Sequence, residues 1–177
     1  MFNIFKVMEI KMITVGQQLP NATINEYLEV ATEGCAIGPN AFEVNKLTAG
    51  KKIVIFGLPG AFTPTCSAKH VPGYVTHAAE LKAKGADEVW CVAVNDAFVM
   101  GAWGKDQKVN GTVRMMADGS GELTKKLGLE LDLIGRGMGI RSNRYMMIVD
   151  NGVVNHLAVE GPGQLEVSDA ASALKAL

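Results

Sequence analysis

Two short apolar runs, KKIVIFG at residues 51–57 and EVWCVAV at residues 88–94, constrain the fold more than anything else in the chain. Both are rich in β-branched residues and lack the polar alternation of a strand with one wet face, so they read as parallel strands covered on both sides. Parallel neighbours cannot be joined by a tight turn and need a crossover. The segment between them, CSAKHVPGYVTHAAELKAKG at residues 66–85, supplies a helix of about five turns. Pro72 should kink that helix and Gly85 should end it. Asp96 is placed to cap a second helix over residues 96–107, weakened by Gly101 and Gly104, ahead of a third strand, VRMMAD, at residues 113–118.

A short helix is expected at residues 121–127. RYMMIVDNGVVNHLAV, residues 144–159, alternates on either side of Asp150-Asn151-Gly152, the pattern of a hairpin. Ser168 then stands as the N-cap of a closing helix, SDAASALKAL. Strand-helix-strand-helix-strand followed by a hairpin and a helix gives an α/β, thioredoxin-like fold, a mixed central sheet with helices on both faces. One domain over residues 15–177 is expected, behind a short arm at residues 1–14 in which Met1, Met8 and Met12 could each start translation. GRGMG, residues 135–139, lacks the spacing of a nucleotide-binding loop and reads as a mobile glycine loop.

Charge and cysteine usage narrow the function classes. With a formal net charge of -1 and scattered lysines, nothing favours nucleic acid or an anionic membrane surface. No stretch approaches the ~20 apolar residues needed to span a bilayer. Lys6, Glu9 and Lys11 interrupt the first residues too often for a signal peptide, so the cytoplasm is the expected location. Three cysteines, Cys35, Cys66 and Cys91, cannot all pair within one chain, which points to a reducing compartment. There is no C-x2-C, and His70, His77 and His156 form no ligand pattern with the thiols, so neither a metal nor another cofactor is expected.

The chemistry gathers in GLPGAFTPTCSAKHVPG, residues 57–73. A strand ending at Gly57 and a helix beginning near Cys66 put this thiol on the first helical turn, where unpaired N–H groups and the helix dipole favour a negative charge. Such a position lowers a thiol pKa from about 8.5, and the thiolate is the nucleophile. The Thr63 hydroxyl can donate to it, while Pro59 and Pro64 stiffen the loop. Thr63 also occupies the position where a redox helix carries its second cysteine. The competing reading is a buried cysteine acting as a small hydrophobe.

PGAFTPTCSAKHVPG closely resembles the active-site signature of type II peroxiredoxins, the peroxiredoxin-5 group. The likeness continues through VNDAFVMGAW, ADGSGELTKKLGLELDL and RSNRYMMIVDNGVV, and so covers nearly the whole chain from about Val15. The resemblance implies thiol-dependent reduction of hydrogen peroxide and alkyl hydroperoxides. It maps the Pro-x-x-x-Thr-x-x-Cys arrangement onto Pro59, Thr63 and Cys66, and the distant arginine onto Arg144, with Arg141 as the nearest rival. His70, one turn beyond Cys66, is either a donor near the thiol or a packing residue behind it. The family also implies a homodimer, with Phe62 and Phe98 as interface candidates; Phe62 could equally anchor the loop within one subunit.

Regeneration needs an electron donor, glutathione with glutaredoxin or thioredoxin. Some relatives carry a second cysteine in the strand of Cys91, making it the candidate partner and Cys35 an outsider. At ~3.3 Å per residue, Cys91 falls about 10 Å below the end of its strand, too deep to bridge a thiol above that end without local unfolding. An external thiol is therefore expected to resolve Cys66. Two rival functions are a general thiol-disulfide oxidoreductase and a non-catalytic interaction or holdase module.

Overall fold

The computed structural model describes residues 11–177. Most of the arm expected at residues 1–14 lies outside the described residues; of the remainder, Ile13 is buried and donates its N–H to the Leu127 carbonyl at 2.9 Å.

The chain runs β1 (Thr23–Leu28), β2 (Gly38–Glu43), α1 (Val44–Thr48), β3 (Lys52–Gly57), a π-helical turn (Cys66–His70), α2 (Val71–Ala83), β4 (Glu88–Ala93) and α3 (Ala97–Asp106). It continues through β5 (Arg114–Ala117), α4 (Glu122–Leu127), β6 (Glu130–Leu133), β7 (Gly139–Ser142), β8 (Tyr145–Asp150), β9 (Val153–Val159) and α5 (Ala170–Ala176). Seven strands make one sheet in the order β2-β1-β5-β4-β3-β8-β9. β3, β4 and β5 are parallel, as the two crossovers require, and β8 joins β3 antiparallel with Gly57 opposite Tyr145.

Alternation along the central strands divides the interior in two. Val54, Phe56, Cys91, Ala93, Met146 and Ile148 face α2, α3 and α5. Ile53, Ile55, Trp90, Val92, Tyr145 and Met147 face α1, α4 and Ile13. The sheet is thus covered on both sides, which is why its central strands read as unbroken apolar runs. Truncating a central aromatic such as Phe56 would cost about 3–5 kcal/mol.

Several expectations need correction. Where Pro72 was expected to kink the helix, the irregularity is the π-turn just before it, in which the Val71 N–H donates to the Cys66 carbonyl and Pro72, which has no N–H, follows as the second residue of α2. Ser168 does not cap the closing helix. Asp169 does, accepting the Ser172 N–H at 2.8 Å, because the Ser168 hydroxyl is turned toward Glu160 at 2.9 Å. The GRGMG segment is part of a small hairpin, with a 3-10 turn at Ile134–Arg136 between β6 and β7. The β1–β2 hairpin was not foreseen: TINEYL interrupts its β-formers with Asn25 and Glu26, and GPNAFE, the rim strand, opens on Gly38 and Pro39.

Candidate active site

The carboxyl ends of β3 and β4 meet the start of β8, and a loop from Leu58 to Thr63 spans the junction. Gly57 is required there: a Cβ on it would lie 2.1 Å from the Tyr145 ring, which crosses the strand end. Beyond it the loop is tied at short intervals. Leu58 donates to the Val92 carbonyl, Ala61 donates to Asn95 Oδ1 at 2.9 Å, and the Thr63 hydroxyl donates to the Gly60 carbonyl at 2.7 Å. Phe62 takes a φ of 60°, the left-handed region, and is 56% exposed. A bulky residue held in that region costs on the order of 1–3 kcal/mol, sustained by the ties on either side.

Thr63 ends the loop and begins the helix, its carbonyl accepting the Ser67 N–H at 3.0 Å. Pro64 and Thr65 form the first helical residues, and Cys66 follows in the π-turn. Cys66 is only 1% exposed and belongs to the core facing α2 and α3. On the neighbouring side, Trp103 Nε1 donates to Ser67 Oγ at 3.0 Å, and the Phe62 and Trp103 rings lie 6.3 Å apart.

Arg144, the last residue before β8, brings Nη2 to 3.3 Å from Cys66 Sγ. Its Nη1 lies 2.8 Å from His70 Nδ1. A guanidinium has no acceptor, so Nδ1 must accept, and the His70 proton must sit on Nε2. Nε2 lies 3.0 Å from the Ser168 carbonyl, to which it donates, as does the Tyr74 hydroxyl at 2.9 Å. Burial pushes the His70 pKa down to about 4; the Ser168 carbonyl opposes that fall and the Arg144 charge adds to it. The imidazole is therefore neutral at pH 7, buttressing Arg144 rather than supplying a charge to the thiol.

Arg141 goes elsewhere. Its Nε donates to the Met138 carbonyl at 2.8 Å and its Nη1 to the Pro59 carbonyl at 3.4 Å. It fastens the loop, and a Cβ on Gly60 would come within 2.5 Å of its Nη1. Arg144 thus meets Cys66 with His70 behind its guanidinium, Pro59 and Thr63 lie in the tied loop that leads to the thiol, and Cys91 stands on β4 opposite Phe56. Cys91 is free and fully buried on the same face of the sheet. Burial pushes its thiol pKa well up, Cys66 adds to the rise, and Arg144 works against it. Cys35 sits apart, in the connection between β1 and β2.

Sequence reasoning missed Asn95 and Glu160. Asn95 follows the end of β4, where α/β sheets place their sites, so topology could have flagged it. Glu160 gave no local signal, because its partners are backbone N–H groups six to eight residues further on. Among the described residues no group of three or more His, Cys, Asp or Glu could hold a metal ion, and no helix is long and apolar enough to cross a membrane.

The arrangement is a nearly enclosed thiol with a permanent cation against it, at the head of a helix. Residues 14–174 match the family described as Redoxin. Peroxiredoxin-2D of Arabidopsis thaliana is 49% identical over 170 residues, covering 93% of this chain and 98% of that protein. A crystal structure from Burkholderia cenocepacia, provisionally named a thioredoxin reductase, is 64% identical with a TM-score of 0.93, covering 94% of this chain and 99% of that one. Reduced Prx3 of Vibrio vulnificus in complex with hydrogen peroxide is 52% identical with a TM-score of 0.85, covering 93% and 99%.

Proposed function

Because the chain belongs to the redoxin family and is a peroxiredoxin within it, a thiol-dependent peroxidase, we propose that Cys66 is the peroxidatic nucleophile and that Arg144, Thr63 and Pro59 form its pocket. The observation that carries this reading is the 3.3 Å approach of Arg144 Nη2 to Cys66 Sγ.

The Cys66 thiolate attacks one oxygen of the peroxide, the O–O bond breaks, and the electron pair leaves with the other oxygen as hydroxide or alkoxide. Sulfur is oxidised to a sulfenic acid, and the leaving oxygen takes a proton from water. Negative charge moves from sulfur to that oxygen, and Arg144 follows it as a fixed donor that never loses its proton. Thr63 gives its hydroxyl proton to the Gly60 carbonyl, so its oxygen is left to accept a hydrogen bond from the incoming hydroperoxide. The substrate class is hydrogen peroxide and alkyl hydroperoxides. The Vibrio Prx3 complex with hydrogen peroxide supports the first of these.

A thiol then condenses with the sulfenic acid, releasing water and forming a mixed disulfide, which a second thiol reduces. The donor in this reading is glutathione with a glutaredoxin, in preference to thioredoxin. Support comes from Cys91, buried beneath the site, and from the cysteine-free segment after residue 160. The unit functions as a homodimer, with exposed Phe62 and Phe98 in the contact; at 56% exposure Phe62 is not an internal anchor. Three free cysteines support a reducing compartment, the cytoplasm.

A general disulfide reductase, which the provisional name of the Burkholderia relative would suggest, needs a second thiol beside the first, and Thr63 stands in that place. A non-catalytic module would not need a half-buried cation held against a buried sulfur. Peroxide consumption measured with glutathione plus glutaredoxin, with thioredoxin and with dithiothreitol tests the proposal. No consumption with any donor would end it, and turnover with thioredoxin alone would end the glutathione assignment.

A further inference from the structure

Arg144 is tied to Glu160 directly at its backbone and, through His70 and Ser168, indirectly at its side chain. Its backbone carbonyl accepts the Glu160 N–H at 2.9 Å. Its guanidinium rests on His70, whose far nitrogen reaches the Ser168 carbonyl. Glu160 Oε1 in turn accepts the N–H groups of Glu166 and Val167, each at 2.7 Å, and both the N–H and the hydroxyl of Ser168, at 2.8 and 2.9 Å. Three consecutive backbone N–H groups converging on one oxygen form a concavity that favours an anion. Burial pushes the Glu160 carboxyl up, but the bonds from Val167, Ser168 and Glu166 outweigh it and hold the group below the usual carboxylate range. The segment gathered in this way has no regular structure of its own between β9 and α5.

Resting on the reading of Cys66 and Arg144 given above, we propose that Glu160 is a positioning residue for the peroxidase site: by fixing the Ser168 carbonyl it keeps the His70 proton on Nε2 and so aims Arg144 at Cys66. If the Ser168 carbonyl shifts, His70 loses the acceptor that, together with Arg144 at its other nitrogen, selects its tautomer. A proton on Nδ1 would then face an Arg144 N–H, donor against donor, and drive the guanidinium away from the sulfur. Peroxide reactivity is thus controlled by a carboxylate that touches neither substrate nor thiol.

The test compares full-length wild-type protein with Glu160→Ala, Glu160→Gln, His70→Leu, Glu160→Ala/His70→Leu and Arg144→Ala. Three quantities are read: the rate of Cys66 oxidation by hydrogen peroxide, the pH profile of Cys66 alkylation, and the nitrogen NMR signals of the His70 ring. Glu160→Ala should slow oxidation about tenfold, the factor attached to one well-placed hydrogen bond. It should also move the alkylation profile to higher pH and mix the His70 tautomers. Glu160→Gln, which keeps an acceptor oxygen, should recover part of the rate. In the His70→Leu background Glu160→Ala should slow oxidation no further, the non-additivity of residues acting through one another.

A Glu160→Ala protein that melts earlier yet keeps the wild-type rate, profile and ring signals overturns the inference, as does an equal slowing with and without His70. Should Glu160→Ala fail to fold, Glu160→Gln and Ser168→Ala carry the same comparison. Arg144→Ala separates two failures: a wild-type rate there undoes the reading of the site, whereas a slow Arg144→Ala beside unaffected Glu160 variants undoes the inference alone.

Discussion

Arg144 and Cys66, 78 positions apart in the chain, meet at 3.3 Å between Nη2 and Sγ. The contact joins the start of β8 to the first turn of the helix that follows β3, and the antiparallel pairing of those two strands sets its register. A sheet of fixed register therefore delivers the cation to the sulfur, with no side chain having to search for the other.

Replacing the nucleophile is the first check. Cys66→Ser should abolish peroxide turnover while leaving far-ultraviolet circular dichroism and the melting temperature close to wild type, since oxygen is the poorer nucleophile at neutral pH and is close in size to sulfur. Turnover near the wild-type rate would place the nucleophile elsewhere.

The two arginines should separate cleanly. Arg144→Ala should slow oxidation of Cys66 by roughly 10²–10³-fold, the usual loss when a donor to developing negative charge is removed. Arg141→Ala frees the Pro59 carbonyl and loosens the loop, with a loss of about tenfold or less, the scale of one hydrogen bond. Stopped-flow rates with hydrogen peroxide decide this, and the reverse ranking would exchange their roles.

His70 gives stability a pH dependence. Its pKa falls from 6.5 to about 4 on folding, because burial disfavours the charged ring. Between those values the unfolded chain binds a proton that the folded protein refuses, so stability declines as pH falls from 6.5 toward 4. The slope approaches about 1.4 kcal/mol per pH unit. Urea unfolding at pH 7, 6 and 5 should show the decline in wild type and a flatter profile in His70→Leu. Equal profiles would mean that the ring is not buried neutral.

Cys91→Ser should retain most turnover when glutathione and glutaredoxin supply electrons, because the replaced thiol is enclosed below the site. Mass spectrometry after one equivalent of peroxide should find sulfenic acid or a mixed disulfide at Cys66. A dominant bridge between Cys66 and Cys91, with turnover collapsing in the variant, would make Cys91 the resolving residue.

Legibility followed the range of the interactions. β3, β4 and the β8–β9 hairpin could be read because burial on both faces, and alternation around Asn151-Gly152, are local in sequence. The loop, its thiol and the helix behind it were readable for the same reason. β1 and β2 were not, since TINEYL and GPNAFE owe their strand conformation to pairing at the sheet's rim. Arg141 and Arg144 are three positions apart yet belong to different sheets, Arg141 to β7 of the small hairpin and Arg144 to the entry of β8, a division that the run RSNRYMM does not display. Ser168 was misread as a cap because Glu160, eight residues before it, claims its hydroxyl.

An all but inaccessible sulfur divides the catalytic cycle by size. On the reading of Cys66 as the nucleophile and glutathione as the donor, a residue only 1% exposed would admit the small hydroperoxide group more readily than a tripeptide thiol. On that reading the first half of the cycle would favour the closed form, and the second would follow opening of the π-turn at Cys66–His70. Mild urea, below the unfolding range, should then retard oxidation and hasten glutathionylation. The cell's peroxide would be met by a clenched enzyme and its reductant by a relaxed one, with the breathing of a single turn as the clock between them.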